Sequence, residues 1–541
     1  MIFYSIYRKL LCLILLFILF DGMANAAVYQ WSVPVGGFIS PETNEHPSAF
    51  LWIPENCKQV RAVVFGQHNM CEETIFDHPI FRRTIAELGF AIVWMLPGID
   101  QRWDIKNGCQ EVFDKTMEDL ANVSGYSELE YVPVVPLGHS AMATFPWNFA
   151  AWNPDRTLAI ISYHGDAPRT NLTGYGGENQ EWGRNRNIDG IPGLMIEGEY
   201  EWWEARVNPA LAFRMMYPES CISFLCDAGH GHFDVSDEVI NYICLFLRKA
   251  AEYRLPENST LDQPVPLAKL NPRDGWLAER WHPNQSKRAE AGPFAKYKSD
   301  PHDAFWYFDK EMAEATEAYY ARERGKKEQY IGFLQNGNLL FFNENLHART
   351  IGDFEPEADG LTFHLKAAFT DTLRTRLSQD HAAGTPMIDP ICGPVEKVDD
   401  STFTVLFYRM GLDNTKRTGD IWLLAHHPGD KKYKSSVQQI NLHIPLKREE
   451  GESQKITFNP IHNQIEGVNE LTLQAVSSSG LPVCFYVKEG PAENENGRLV
   501  FSKIPPRAKF PVKVSVVAWQ YGTEKVQSAE PVEQHFYIEK Q

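Results

Sequence analysis

Short apolar runs alternate with amphipathic stretches between about residues 48 and 250. The apolar runs have the length of strands and cover 60–65, 91–96, 132–137, 158–162, 193–196 and 221–225. Helical spacing separates them, most clearly at 81–88, 112–123 and 239–251, and Gly89 is a natural C-cap for the first of these helices. Buried strands joined through helices predict an α/β fold, a mostly parallel sheet with helices on both faces. Ligands of such sheets bind at the carboxyl ends of the strands.

The pattern changes after residue 253 and predicts further units. Residues 254–275 are polar and rich in proline, which indicates a linker. Residues 276–450 form a mixed, mostly β middle region with no recognisable catalytic motif, and Asn336-Gly337 between two apolar runs predicts a hairpin there. Alternating strands predict a small all-β domain over 451–541.

A charged and then apolar segment begins the chain. Arg8 and Lys9 precede an unbroken apolar run at 10–20, and the tripeptide Ala-Asn-Ala at 24–26 places small residues where a signal peptidase cuts. The run is shorter than the roughly 20 residues that cross a bilayer. We therefore expect residues 1–26 to be a signal peptide. The mature protein should be exported without a membrane span, to a periplasm, the cell surface or the medium.

Charge and cysteine content add two restrictions. The 541 residues include 52 Lys+Arg and 70 Asp+Glu, a net charge of −18, which argues against a nucleic-acid partner because such proteins need a basic face. Nine cysteines occur without a CxxC pair, so a thiolate zinc site is not expected. Cys57, Cys71 and Cys109 are near one another in sequence, and two of them could form a disulfide. Cys226 and Cys244 lie in apolar segments and are expected to be buried thiols.

The strongest chemical signal is Gly138-His139-Ser140, which directly follows an apolar run. A strand, a small residue, a serine and then helix-compatible sequence resemble the nucleophile elbow of the α/β-hydrolase superfamily, where a sharp turn exposes the serine hydroxyl. The superfamily motif G-x-S-x-G has glycine where this chain has Met142, and we expect Ala143 to give the close packing instead. The resemblance implies an α/β-hydrolase catalytic domain over 27–253, with Ser140 as nucleophile.

A base for this serine is expected after the last strand of the sheet. The segment Ala-Gly-His-Gly-His at 228–232 resembles the catalytic histidine loop of the same superfamily. Ala-Gly-His is the usual arrangement there, so the resemblance favours His230 over His232 as the base. A rival interpretation makes His230, His232 and Asp234 a metal site, because His-x-His spacing suits ligation, but no third ligand cluster stands out.

The third catalytic residue of the superfamily is an acid that orients the imidazole. Members often place this acid three residues after a glycine in the penultimate strand, and Gly198 plus three implies Glu201. Glu199 is the runner-up, because strand alternation alone cannot place a loop residue, and Asp166 is a third choice. The resulting order along the chain is nucleophile, acid and base, as in the superfamily.

Acyl transfer also needs N–H donors for a developing oxyanion. The resemblance implies the backbone N–H of Ala141 as one donor, and Gln67 and His68 as backbone candidates for the other. In the expected mechanism the serine attacks an ester carbonyl, the histidine takes its proton, and water hydrolyses the acyl-enzyme. We expect neither a metal nor an organic cofactor to be required.

The predicted substrate is an ester on a plant or algal polysaccharide or oligosaccharide. Flat aromatic side chains near the site could stack on sugar rings, and we single out Trp103, Trp202 and Trp203. Arg184 and Arg186, in a long loop of an acidic protein, could bind a uronate carboxylate. Residues 451–541 include KIPPRAKFPVKVSVVAWQYG and resemble the immunoglobulin-like β-sandwich modules appended to secreted bacterial polysaccharide-degrading proteins.

These features together favour a carbohydrate esterase, such as a pectin methylesterase or an acetylesterase. Two alternatives remain, a serine peptidase or other α/β-hydrolase, and a non-catalytic glycan-binding protein that keeps the fold. The sequence leaves open the ester type, the role of the middle region and the oligomeric state.

Overall fold

The computed structural model describes residues 28–170, 180–201, 203–283, 285–408, 414 and 416–541, and for Trp203 the backbone alone. The predicted signal peptide, residues 1–26, lies outside these ranges. Among the described helices, none combines the length and the apolar character that crossing a bilayer requires.

An eight-stranded sheet forms the first part of the structure. Its strands are β1 (Trp31–Pro34), β2 (Ser48–Trp52), β3 (Ala62–Gln67), β4 (Phe90–Leu96), β5 (Val134–His139), β6 (Ile160–Tyr163), β7 (Pro192–Gly198) and β8 (Cys221–Asp227). They lie in the order β1-β2-β4-β3-β5-β6-β7-β8. Strands β3 to β8 are parallel, and β1 and β2 add an antiparallel edge. The prediction of a mostly parallel sheet is confirmed.

Helices cover both faces of this sheet. They are α1 (Cys71–Asp77), α2 (Pro79–Leu88), α3 (Cys109–Ser124), α4 (Phe145–Trp152), α5 (Trp203–Met216) and α6 (Asp237–Arg254). Successive strand residues point to opposite faces of the sheet. Val64 therefore lies in one apolar core with Ile85 of α2, while Phe65 lies in the other with Phe113 of α3. Gly89 ends α2 in the left-handed conformation (φ 68°), as its position in the sequence predicts.

The next segment extends this α/β unit. It contains β9 (Trp276–Glu279), β10 (Gly292–Pro293), β11 (Ala304–Tyr307) and α7 (Lys310–Glu323). The hydroxyl of Tyr307 donates to the carbonyl of Phe224 in β8 at 2.6 Å, and the surrounding aromatic residues share the core of the sheet. Residues 276–323 therefore pack with the α/β unit, although the sequence places them with the middle β region.

The middle β region begins at Tyr330. Its strands are β12 (Tyr330–Gln335), β13 (Asn338–Leu339), β14 (Ile351–Gly352), β15 (Thr362–His364), β16 (Lys366–Thr370), β17 (Met387–Cys392), β18 (Val395–Lys397), β19 (Thr402–Val405), β20 (Asp420–His427) and β21 (Ser436–His443). They form sheets in the orders β13-β12-β16, β14-β21-β20-β17 and β15-β19-β18. The predicted hairpin joins β12 to β13, with Asn336 and Gly337 at positive φ (51° and 78°), as a tight primed turn requires.

The last region is also built from strands. They are β22 (Ile456–Phe458), β23 (Gln464–Ile465), β24 (Glu470–Thr472), β25 (Ala475–Ser477), β26 (Cys484–Glu489), β27 (Ala492–Glu495), β28 (Arg498–Phe501), β29 (Val512–Trp519) and β30 (Val532–Glu539). The main sheets have the orders β23-β30-β29-β26 and β24-β28-β27. Val514 of β29 and Leu499 of β28 share one apolar core, so the two sheets pack together.

A loop of the last region is joined to the α/β unit by a partly buried ion pair. The guanidinium of Arg507 donates to the carboxylate of Glu128 at 2.7 Å and lies 4.8 Å from the ring centre of Tyr126. Glu128 is 1% exposed, and its carboxylate also accepts the backbone N–H of Val60 at 3.0 Å. The amide of Lys509 donates to the carbonyl of Ser124 at 2.8 Å, so this loop is attached to the end of α3.

We expect Arg507→Ala to lower the free energy of unfolding by about 2 kcal/mol, because it leaves the buried carboxylate of Glu128 without its cation. Urea unfolding of the variant and the wild type would measure the difference. Arg498→Ala is the matched control, since Arg498 pairs with two glutamates at the surface and should contribute less than about 1 kcal/mol. Equal losses in the two variants would contradict the prediction.

The described cysteines are free thiols: Cys57, Cys71, Cys109, Cys221, Cys226, Cys244, Cys392 and Cys484. The disulfide that the sequence left possible among Cys57, Cys71 and Cys109 is therefore not formed. Burial raises the pKa of the Cys109 thiol to about 12, which makes it a weak nucleophile. The prediction that Cys226 and Cys244 are buried is confirmed.

Candidate active site

Ser140 lies in a strained turn between a strand and a helix. Strand β5 ends at His139, Ser140 has a φ of 53°, and one turn of 3₁₀-helix over Ser140–Met142 leads to α4. A non-glycine residue at positive φ costs energy and is typical of a functional site. Gly138 is required on steric grounds, because a Cβ there would overlap the carbonyl of Met142.

Neighbouring glycines compensate for the methionine in the motif. The end of the Met142 side chain occupies the space that a Cβ on Gly98 would take. The methyl group of Ala143 likewise occupies the space of a Cβ on Gly165. The chain therefore keeps the tight turn although Met142 replaces the glycine of the motif. Gly98, after β4, makes room for Met142, and Gly165, after β6, makes room for Ala143.

His232, not His230, contacts Ser140. The Nε2 atom of His232 lies 2.7 Å from Oγ of Ser140, and its Nδ1 atom contacts the carboxylate of Glu201. The preference for His230 that the resemblance implied is therefore corrected. His230 contacts the carboxylate of Asp234 and lies 4.0 Å from that of Asp227. Burial lowers the pKa of His230, but the two carboxylates outweigh burial and raise the pKa to about 10. The attraction of these carboxylates holds the ring on their side of the loop.

Glu201 is held as a buried carboxylate. Its side chain is 3% exposed and accepts the backbone N–H of Gly198 at 2.8 Å. Burial would raise the pKa of Glu201, but His232 and Arg206 more than offset it and keep the pKa well below its usual range. Arg206 lies 3.4 Å from this carboxylate and 3.0 Å from that of Glu197, so a buried arginine fixes the acid from behind.

The other two candidate acids have different partners. Glu199 accepts the Lys434 ammonium at 2.8 Å and the indole N–H of Trp281 at 3.1 Å. This buried ion pair joins the end of β7 to the middle β region. Glu199, the runner-up acid, therefore lies where these two parts of the chain pack together. Asp166 accepts the hydroxyl of Thr144 at 2.9 Å, next to the helix that follows the serine.

Two further imidazoles hold the backbone of His232. The ring nitrogens His139 Nε2 and His164 Nδ1 lie 2.9 Å and 2.7 Å from the carbonyl oxygen of His232. A carbonyl oxygen can only accept, so both of these nitrogens carry a proton. Burial lowers the pKa of both imidazoles, which keeps them neutral, and the ring of His164 stacks on that of Tyr163 at 4.1 Å. Neither role was recognised in the sequence, although His139 lies within the serine motif.

For the ester hydrolysis that the sequence predicts, we expect His164→Phe to lower kcat about tenfold while KM changes little, because the variant keeps the ring stacking but loses the hydrogen bond that positions His232. His164→Asn is the matched rescue variant, since its amide N–H reaches nearly the position of Nδ1. Steady-state kinetics with a chromogenic acetate ester would measure both. Identical kinetics for the wild type and His164→Phe would contradict a positioning role.

The loop after β3 is only partly free for an oxyanion. The backbone N–H of His68 donates to the carbonyl of Met95 at 2.8 Å, so this candidate donor is already used. The side chain of Gln67 instead accepts from the backbone of Ile99 at 2.7 Å, while the use of its own N–H for an oxyanion stays a prediction. The N–H of Ala141, directly after the serine, likewise stays a predicted donor.

Glu72 fixes the backbone of this loop through hydrogen bonds. Its buried carboxylate accepts the backbone N–H groups of Asn69, Met70 and His139 at 3.0, 2.9 and 2.7 Å. Burial raises the pKa of Glu72 to about 7, against the lowering effect of these hydrogen bonds. A single acid therefore joins the early loop to the end of the strand that carries the serine.

The residues predicted to bind sugar lie in different environments. Trp103 is fully buried among aromatic residues, with its ring 5.0 Å from that of Phe149, so it belongs to the core and its predicted role in substrate binding is corrected. Trp202 and the side chain of Trp203 lie outside the described residues. Arg184 and Arg186 are exposed, and the guanidinium of Arg186 lies over the ring of Trp152 at 3.3 Å.

The middle β region contributes residues next to the histidine loop. The ring of His347 lies 6.0 Å from that of His232 and 5.0 Å from that of Phe233. The ring of Trp422 contacts both Phe233 and His347, at 5.0 Å and 5.9 Å. Arg417 donates to the carbonyl of Asn69 at 3.0 Å. No local pattern in 276–450 indicated these contacts, because they depend on how the two units pack.

Several solved structures resemble part of this chain at low sequence identity. No family model and no curated protein matches the chain. Among solved structures, Est1E from Butyrivibrio proteoclasticus is 16% identical, with 41% of this chain and 99% of that one covered and a TM-score of 0.29. The Staphylococcus aureus fluorophosphonate-binding serine hydrolase FphF is 13% identical, with 41% and 96% covered and a TM-score of 0.28. A Pyrobaculum calidifontis esterase is 13% identical, with 42% and 87% covered and a TM-score of 0.31.

At TM-scores this low, the fold assignment depends on the features of the chain itself. Its sheet has six parallel strands and an antiparallel edge, and a serine at positive φ follows β5 and precedes a helix. This strand order and this turn define the α/β-hydrolase fold.

Proposed function

We propose that this chain is a secreted serine carboxylic-ester hydrolase that acts on plant or algal polysaccharide. The observation that carries the proposal is the continuous hydrogen-bonded series from Ser140 through His232 to Glu201. Such a series provides a nucleophile, a base and an acid that orients the base, which is the requirement for acyl transfer through a serine.

The proposed reaction has two halves. His232 takes the proton from Ser140 as Oγ attacks the ester carbonyl, and the same imidazole then gives this proton to the departing alcohol. The backbone N–H of Ala141 stabilises the oxyanion of the tetrahedral intermediate. In the second half, His232 removes a proton from water, which attacks the acyl-enzyme. The imidazolium then returns this proton to Oγ of Ser140 as the bond to the acyl group breaks and the acid leaves. Glu201 stays ionised throughout and stabilises the imidazolium that forms twice in each cycle.

Esters of uronic-acid polysaccharides are the substrate class that we favour. The predicted signal peptide, and the resemblance of residues 451–541 to modules of polysaccharide-degrading proteins, support a polysaccharide substrate. One cationic side chain at the site supports an acidic substrate: Arg417 donates to the carbonyl of Asn69, in the loop beside the serine. Arg184 and Arg186 are exposed, and Arg186 lies over Trp152, at the end of α4 that is farther from Ser140. Arginine suits the planar carboxylate of a uronate. A methyl ester or an acetyl ester is the expected scissile bond.

Product analysis tests the substrate class. The purified mature chain should release methanol from methyl-esterified pectin or acetate from acetylated pectin, with Ser140→Ala as the inactive control. Cleavage of peptides without release of either product would contradict the proposal. The double variant Arg184→Ala/Arg186→Ala should raise KM for a uronate ester and leave KM for a neutral acetyl ester unchanged. Unchanged kinetics on both esters would exclude these two arginines as the carboxylate site.

A further inference from the structure

A second cluster of ionisable side chains lies on the other side of the histidine loop. Asp227 ends β8, and His230 and Asp234 lie in the loop that follows. One ligand atom from each of the three lies within 4.8 Å of the others. Asp227 is fully buried, Asp234 is 3% exposed, and the side chain of His230 is 17% exposed, so the cluster is almost entirely enclosed by protein.

Asp227 has an oxygen without a partner. Its Oδ1 atom accepts the hydroxyl of Tyr319 at 2.5 Å, whereas Oδ2 is buried and has no hydrogen-bond partner among the described residues. A buried carboxylate oxygen without a hydrogen bond is costly, and in folded proteins such an atom usually has a bound partner. Asp227 therefore has a buried oxygen available for a further ligand.

A cavity leads to the same cluster. It has a volume of about 370 Å³ and lies between the histidine loop, α7 and the sheet that contains β17, β20 and β21. His230 and Asp234 line it, together with Glu323, Asp389 and His426. The cavity provides a path for a small ion and room for water molecules that would complete its coordination.

We propose that Asp227, His230 and Asp234 bind a divalent transition-metal ion of the Zn²⁺ class. Imidazole and carboxylate together are ligands that Zn²⁺ prefers, and water from the cavity would supply a fourth position. The imidazole nitrogen disfavours Ca²⁺ and Mg²⁺, which take oxygen ligands.

The position of this site indicates a structural role for the metal. Tyr163 donates to the carbonyl of Asp234, and His232 lies between the two predicted loop ligands. A cation held by β8 and by both ends of the loop would fix the segment that carries His232. The inference does not depend on the proposed hydrolase activity, since it concerns binding alone.

Metal binding to the untagged mature chain tests the site. After treatment with a chelator, titration calorimetry should show about one equivalent of Zn²⁺ bound, and Asp227→Asn or Asp234→Asn should weaken binding by at least about 100-fold. Glu238→Gln is the matched control, because Glu238 lines the same cavity but pairs with Arg322 outside the cluster, and it should bind as the wild type does.

X-ray absorption at the zinc edge of the wild type gives a readout that needs no variant. We expect one imidazole and oxygen ligands. Three imidazoles would overturn the proposal and indicate the other group of possible ligands, His139, His164 and His232. The proposal is equally overturned if the wild type shows no saturable binding, or if folded Asp227→Asn binds Zn²⁺ as tightly as the wild type.

Discussion

Ser140→Ala is expected to lower kcat for ester hydrolysis by about 10⁴-fold or more and to abolish labelling by a fluorophosphonate probe. The reason is that Oγ of Ser140 is the only described hydroxyl in contact with Nε2 of His232, at 2.7 Å. The substitution removes one oxygen at a site where small side chains already fit, so the fold should be retained. Hydrolysis of a chromogenic ester and gel-based labelling would measure the two effects.

A second buried serine provides the control for this experiment. Ser220, before β8, is 3% exposed, and its hydroxyl has no hydrogen-bond partner among the described residues. Ser220→Ala should therefore keep both the labelling and the hydrolysis of the wild type. Persistent labelling of folded Ser140→Ala at the wild-type rate would remove the nucleophile from the proposed mechanism, and with it the proposed function.

His232→Ala should have an effect of similar size, about 10⁴-fold in kcat. Its imidazole contacts both the hydroxyl of Ser140 and the carboxylate of Glu201, so its loss removes the base and isolates the acid. The double variant Ser140→Ala/His232→Ala should be no slower than either single variant, because the two residues act as one unit. Kinetics of the two single variants and the double variant would measure this non-additivity.

The same experiment separates the two histidines of the loop. Loss of labelling in His230→Ala together with full labelling of His232→Ala would contradict the geometry described above. Additive losses in the Ser140 and His232 variants would also contradict it, because they would mean that the two side chains act independently.

Much of the first unit follows from local patterns in the chain. Buried strands show as apolar runs, and α2 ends at Gly89 because only glycine adopts its left-handed conformation at little cost. The turn at Asn336-Gly337 follows from the same preference. Ser140 could be singled out because a nucleophile at a strand-to-helix turn requires Gly138 beside it. Each of these inferences depends on interactions within a few residues.

Contacts between distant segments did not follow from such patterns. The linker and middle region could not be divided correctly, because nothing in the aromatic run at 304–308 shows that it forms a strand packed on β8. Trp103 looked like a surface aromatic but fills the core beside Phe149. The possible disulfide among Cys57, Cys71 and Cys109 is not formed, because nearness in sequence does not bring thiols together in space.

The chain's own residue order was thus sufficient for the α/β class, the position of the serine turn and a short list of acids and bases. The choice between His230 and His232 required the folded protein. Both lie in one short loop, but Asp227 and Asp234 attract His230, while His139 and His164 hold the carbonyl of His232. These partners come from separate strands and loops, and the ring that reaches Ser140 is selected by charges and hydrogen bonds that exist only once the sheet has assembled.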